Sequence, residues 1–308
     1  MRAAVYFGWH VHPWEDLLDL VRRAEKLGYA AAFVDGDVTM LAQRTDADCL
    51  DGWTVTAALL GATEHIPIGS LRLVHHWHPA RLAQAAATAE RIAPGRLRFV
   101  VSIGDWKIDA RFGLPMPSVR ERIDWLDESL DALRALWAGD TVSRAGRHVH
   151  LDGARIRPAP GTRLKIAVAA GRPRMLGLVA KHADVWEVSL PPVPARVATA
   201  ADQLAAACDR HGRDASTLGR SMLLFARPGM PPEAALEEYR RLNPWYADVS
   251  DAEIARGLAS GDAAQCQAQL AELGSTLGLT LPIIDASGLP AEPTRRLLDA
   301  LAPSETDI

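Results

Sequence analysis

Five short runs of this chain hold most of the side chains that move protons or bind anions. They are His10-Val11-His12, Asp35-Gly36-Asp37, His75-His76-Trp77-His78, Asp105-Trp106-Lys107 and Gly171-Arg172-Pro173-Arg174. Imidazole changes charge near neutral pH, so His10 or His76 is a candidate proton carrier, with Asp37 or Asp105 as the accompanying acid. The Gly171 run suits a different task. Glycine admits close backbone approach, and helical spacing from about Arg174 puts free N–H groups and a positive dipole end beside it. Arg172 and Arg174 add bidentate donors, so the run reads as a phosphate site. A plain turn with two solvated arginines is the alternative.

Metal and nucleophile chemistry have weaker support. His76 and His78 share a strand face only while the strand persists, Pro79 ends it, and no carboxylate lies alongside. One histidine facing a pocket while the others pack or meet solvent is the simpler expectation. The pair His10-x-His12, with Asp285 late in the chain, resembles the metal-binding HxH of barrel amidohydrolases. The expected fifth and sixth strands supply no histidine, and a hydrolytic zinc needs three or four converging ligands. No metal site is expected. A GxSxG nucleophile elbow is absent from the sequence.

These runs need elements to hold them, and the hydrophobic periodicity supplies eight. Short apolar runs near Ala3, Ala30, Ile66, Leu97, Leu164, Val185, Ser221 and Leu279 read as strands, each followed by helical spacing. Helices are expected over 14–27, 53–62, 81–92, 119–136, 195–211 and 231–258, among others. Residues 140–157 break the rhythm and suggest a small hairpin. Strict alternation implies a parallel sheet covered by helices, and eight units favour closure. The expectation is one domain over residues 1–308, a (β/α)8 TIM barrel with a short insertion after helix 4. In such barrels the chemistry gathers at the C-terminal strand ends, where all five runs fall. Trp9, Trp77, Trp106 and Trp186 fall there too, which suggests an aromatic-walled pocket.

Composition narrows the partners. With a net charge of −4 there is no broad basic field, so neither nucleic acid nor an anionic membrane surface is expected. No run approaches the ~20 apolar residues of a membrane span. Cys49, Cys208 and Cys266 form no CxxC spacing and no disulfide framework. With no apolar leader at the start, a reduced, cytoplasmic setting and a small-molecule substrate are expected.

Several segments in order resemble one known family. Ala24–Asp35 (AEKLGYAAAFVD) and Asp51–Gly69 are similar to that family's passages from helix 1 to strand 3. His78-Pro79, Leu82-Ala83 and Gly95-Arg96 match its next passage. Phe112-Gly113, Arg122, Leu126, Glu128, Leu130, Leu133, Leu136, Trp137 and Gly139 match its long fourth-helix signature, and Ala183-Asp184-Val185-Trp186 its late ADxW. The ordered set resembles the bacterial-luciferase-like superfamily of flavin- and deazaflavin-dependent barrel enzymes. Two departures stand out. Asp35-Gly36-Asp37 replaces an acidic–His pair common after strand 2, and only Gly104 remains of a GxGxG-like strand-4 end.

The resemblance implies an isoalloxazine-type ring across the barrel mouth near strands 3 and 4. Asp35, Arg72, His75, Gly104 and Trp106 are then the expected ring contacts, with Ala170, Gly171, Arg172 and Arg174 at the phosphate. It further implies a monooxygenase that takes externally reduced FMN from a separate flavin reductase and uses oxygen on a small organic substrate. The alternative keeps the fold and uses coenzyme F-420, a deazaflavin, for hydride transfer. A non-catalytic flavin-binding subunit ranks lower, and a homodimer is expected because relatives often form one.

Overall fold

The first strand is short because its alternation is short: Val5 and Phe7 pack outward under helices while Ala4 and Tyr6 face the opposite side. In the computed structural model, residues 2–8, 12–36, 50–104, 112–160 and 164–303 are described. Eight strands run parallel around one axis: β1 (Ala4–Phe7), β2 (Ala32–Val34), β3 (Ile68–Leu73), β4 (Leu97–Ser102), β7 (Ile166–Ala170), β8 (Val185–Val188), β9 (Gly219–Pro228) and β11 (Leu281–Asp285). Pairing runs in that order, and β11 returns to β1 through Ala4 opposite Ile283. The sheet is a closed TIM barrel.

The outer layer carries most of the core. Helix α1 (Trp14–Lys26) turns Leu17, Leu20, Val21 and Ala24 inward, α2 (Gly52–Ala62) buries Val55, Leu59 and Leu60, and α3 (Pro79–Ile92) buries Leu82, Ala83, Ala86 and Ala87. Helix α4 (Val119–Ala138) buries Ile123, Leu126, Leu130, Leu133 and Leu136. Each of these leucines contributes on the order of 1.5–3 kcal/mol by leaving water. A Ser118–Glu121 capping box starts α4, and Gly139 in the left-handed region (φ 87°) ends it.

The expected insertion is an antiparallel hairpin, β5 (Val142–Ala145) with β6 (His150–Ala154). Glu128 of α4 fastens its turn, accepting the N–H groups of Arg147, His148 and Val149 at 3.1, 2.9 and 2.8 Å. Trp125 stacks on His148 with the rings 8° from parallel.

The chain continues through α5 (Pro173–His182), α6 (Pro194–Arg210), α9 (Ala263–Thr276) and α10 (Ala291–Ala300). Between α6 and α9 the expected single helix over 231–258 is divided. Helix α7 (Pro232–Leu242) stops before Pro244, whose ring cannot continue it, and a Ser250–Glu253 capping box starts the short α8 (Asp251–Ala255). The three-residue strand β10 (Ala259–Gly261) then pairs beside the end of β9. A second departure lies after β3, where Val74–His76 form a single 3-10 turn. Alternating strand faces therefore do not apply to the histidines there. No helix among the described residues is long and apolar enough to cross a membrane.

Candidate active site at the barrel mouth

Strand alternation decides which side chains reach the lumen. On β9, Met222, Leu224 and Ala226 join the helix-facing core, so Ser221, Leu223 and Phe225 point to the other side. By the same rule Tyr6, Asp35, Leu71, Val100, Ala169, Glu187 and Ile283 face the lumen. Its filling is uneven. Phe33, Val100 and Ile283 are buried, whereas Leu223 is 36% exposed and Ala167, Ala169 and Glu187 are partly exposed. The open side lies along β7, β8 and β9.

The exits of β3 and β4 come together. Gly104 adopts a left-handed φ of 65°, and a Cβ there would meet Leu73 at 3.0 Å and His75 Cε1 at 3.2 Å. His75 is buried and meets His76 edge to face, with ring centroids 4.3 Å apart. Arg122 of α4 donates from Nη1 to the carbonyls of Ile103 at 2.8 Å and Gly104 at 2.6 Å. Asp35, one residue beyond β2, accepts the Gly36 N–H at 2.8 Å.

The run at β7 leads directly into a helix. Pro173 opens α5 with Arg172 in the N-cap position, and no side chain caps the first turn. Arg172 is exposed, with no carboxylate partner among the described residues. Arg174 is paired with Asp124 of α4 at 2.8 Å. Gly171 is required by packing, since a Cβ would lie 2.3 Å from the Ser189 carbonyl oxygen. An anion approaching this end meets free N–H donors and one unpaired guanidinium, which fits a phosphate.

One group that the sequence reading passed over is Glu187. It sits one residue before the end of β8, opposite Ala169 on β7 and Ser221 on β9. The Ser221 hydroxyl donates to Glu187 Oε2. Burial pushes the Glu187 carboxyl up to about 7, against the opposing pull of the Ser221 hydrogen bond. The only sign in the sequence was its position in the Trp186-Glu187 strand end.

Other expected residues lie elsewhere. Arg72 alternates away from the lumen. Its guanidinium bonds Gly52 O at 3.4 Å and Thr56 Oγ1 at 3.2 Å on α2 and lies 4.3 Å over the Trp53 ring. Burial pushes Arg72 down to about 9. Ala170 also faces the helices, and its carbonyl accepts Trp186 Nε1 at 2.9 Å. Trp186 is fully buried outside the barrel, so it forms no part of an aromatic mouth. Arg227 is held by Glu238 at 2.8 Å and by the Asp285 and Ser287 carbonyls at 2.8 and 2.6 Å, closing β9 onto β11. Asp127, Asp131 and His182 lie within reach of one another, but the Lys181 ammonium, 2.7 Å from Asp127 and 3.5 Å from Asp131, and the Arg144 guanidinium, 3.2 Å from Asp131, already balance the two carboxylates. His10, Asp37, Asp105 and Trp106 lie outside the described residues.

Comparison with known proteins places this architecture. The profile of the family described as luciferase-like monooxygenase matches residues 1–277. The chain belongs to that family. Among curated luciferase-like relatives, the F420-dependent hydroxymycolic acid dehydrogenase of Mycobacterium tuberculosis is 27% identical over 245 residues, covering 77% of this chain and 68% of the relative. The F420-dependent glucose-6-phosphate dehydrogenase of Kribbella flavida is 34% identical over 172 residues, 54% of this chain and 50% of its own length. The chain thus matches about half the length of that enzyme. An F420-dependent secondary alcohol dehydrogenase, solved with an F420-acetone adduct, superposes with a TM-score of 0.80 at 20% identity, covering 98% of this chain and 100% of that one. The monooxygenase RslO1 from Streptomyces bottropensis gives 0.78, also at 20% identity, over 98% of both chains. At such identity the two structures establish the luciferase-like barrel and nothing finer. The chain is an oxidoreductase of this family.

Proposed function

We propose that this chain transfers hydride between the deazaflavin coenzyme F-420 and a small organic substrate bearing a hydroxyl or carbonyl group. The observation that carries the reading is that the two curated sequence relatives named above are both F420-dependent dehydrogenases. The FMN monooxygenase reading has support from the family description, and the two relatives named above favour the deazaflavin over it.

The residues present fit such a coenzyme. The uncapped start of α5 with Arg172 suits its phosphate, and the Gly104–His75 corner lines the rim where a planar ring would lie. When bound, the coenzyme supplies the hydride chemistry. The chain then has three tasks: to hold the phosphate, to seat the ring against the β3 and β4 exits, and to manage the substrate proton. On this reading no separate flavin reductase is needed.

The test is a side-by-side anaerobic titration with coenzyme F-420 and with FMN, each oxidised and reduced, followed by turnover with a panel of secondary alcohols. Binding of the deazaflavin and oxygen-independent reduction of it support the proposal. Binding of reduced FMN alone, with strict oxygen dependence, would sink it.

A further inference from the structure

The open side of the lumen holds an ionisable group that the family signature does not include. Glu187 lies on the lumen face at the mouth end of β8. Beside it β7 offers only Ala167 and Ala169, whose small side chains leave space over the carboxylate. On its other flank Leu223 remains 36% exposed although it points into the barrel. An apolar side chain left open beside a carboxylate, inside a barrel whose opposite wall is filled, marks room for a ligand with an apolar body and a polar end.

Ser221 is buried and donates to Oε2, while Oε1 takes no hydrogen bond from a described residue. The carboxylate is therefore oriented by one contact and has its second oxygen available. We propose that Glu187 takes up and returns the hydroxyl proton of the substrate, with Ser221 as its positioning residue. This rests on the hydride-transfer reading above. In the oxidative direction the substrate C–H leaves as hydride to the oxidised deazaflavin, the O–H proton passes to Glu187, and the C–O single bond becomes a carbonyl. Both electrons leave with the hydride, and the reverse reaction returns the proton from the Glu187 carboxyl.

The surroundings are consistent with this task. The flanking strands present no charge to Glu187: β7 gives Ala167 and Ala169, and β9 gives Ser221 and Leu223. Among the described strand residues and their exits, the ionisable groups elsewhere on the lumen side are Tyr6, Asp35, Arg98, Arg227 and Asp285, of which Arg227 is held by Glu238. Burial accordingly dominates and keeps the carboxyl near about 7, the range in which a group both accepts and donates protons at neutral pH.

The experiment combines a direct readout with kinetics. Infrared difference titration of the coenzyme-free protein should show a protonated carboxyl band that disappears near pH 7 and is absent in Glu187→Gln. In that variant, coenzyme affinity by fluorescence should hold within about twofold, turnover should fall by ~100-fold or more, and the acid limb of the pH–rate profile should vanish. Ser221→Ala should move that limb to higher pH, because the bond favouring the ionised form is gone. A Glu187→Gln enzyme with full turnover and an unchanged limb overturns the role alone. So does a carboxyl already ionised at pH 5. Wild-type protein that fails to bind the deazaflavin overturns the hydride-transfer reading and the proton role with it.

Discussion

Arg122 and Gly104 meet across the barrel wall, with the guanidinium Nη1 of α4 only 2.6 Å from the glycine carbonyl at the exit of β4. The same nitrogen reaches the Ile103 carbonyl at 2.8 Å, so one buried cation fixes the backbone where the strand turns into the mouth. Arg122→Ala leaves both carbonyls without that donor. A loss of about 3 kcal/mol and a fall in Tm of about 5 °C are expected, with weaker deazaflavin binding as the Gly104 corner relaxes. Arg120→Ala, at an exposed neighbour, serves as the control and should change neither. Equal stability of the two variants in urea titration would refute the assignment.

Glu187 also carries a stability signature. Its folded pKa of about 7 lies above the ordinary 4.5, so the folded state holds a proton that the unfolded state has released between those values. The protonated group favours folding at low pH, and that advantage is lost as pH rises through about 7. Glu187→Gln keeps the hydrogen-bonding shape without ever ionising. It should be more stable than wild type at pH 8 by about 1–2 kcal/mol and nearly equal at pH 5. Denaturant melts at the two pH values check this, and a variant less stable at pH 8 would contradict it. A site group that costs stability where the protein works is a common signature of function.

Much of the architecture was legible because local pattern and burial agree. The core face of α4, Ile123 through Leu136, follows directly from its spacing, and Val185–Val188 forms a strand as expected. The family-like residues prove to be fasteners. Glu25 accepts three N–H groups at the start of β3, Glu128 holds the hairpin, Asp184 accepts the Ile166 N–H, and Trp137 bonds the Ala83 carbonyl. That explains why resemblance identified the fold and left the site open. The inward or outward facing of Arg72, Trp186 and Glu187 was harder to read. It depends on strand parity, which hydrophobicity alone does not settle: β3 and β9 start two residues away from the expected positions, while β8 starts where expected. Neighbouring strand residues face opposite layers, so Arg72, in step with Ile68, falls among the helices, and Glu187, next to the helix-facing Trp186, faces the lumen. The turn at Val74–His76 is likewise a tertiary result, in a run that reads as extended by residue type.

On the outer face, Asp127 links α4 to α5. His182 Nε2 bonds its carboxylate, and Lys181 lies 2.7 Å away. The His182 hydrogen bond leads in lowering the Asp127 pKa to about 2 from 3.8, assisted by Lys181 and opposed by burial. The resulting stability is present above pH 3.8 and is lost as pH falls through about 2. Partial exposure screens the pair, so Asp127→Asn should cost about 1 kcal/mol at pH 7 and nothing at pH 2. Acid titration of both proteins by circular dichroism should show their stabilities converging as pH falls. A constant gap down to pH 2 would show that the loss is one of packing.

The two arginines of the α5 loop should separate in binding, although they look equivalent in the sequence. Arg172 is exposed beside the uncapped helix start and has no carboxylate partner among the described residues, whereas Arg174 is committed to Asp124 at 2.8 Å. A phosphate at this end would gain a direct charge-assisted bond from Arg172 and little from Arg174. Arg172→Ala should raise the Kd for coenzyme F-420 about tenfold, equivalent to about 1.4 kcal/mol, and flatten its dependence on salt. Arg174→Ala should leave affinity within about twofold, and its stability cost should be under about 1 kcal/mol, as for other exposed ion pairs. Fluorescence titration at two ionic strengths measures both. Equal weakening by the two substitutions would place the phosphate further along α5, and no weakening by either would remove it from this loop.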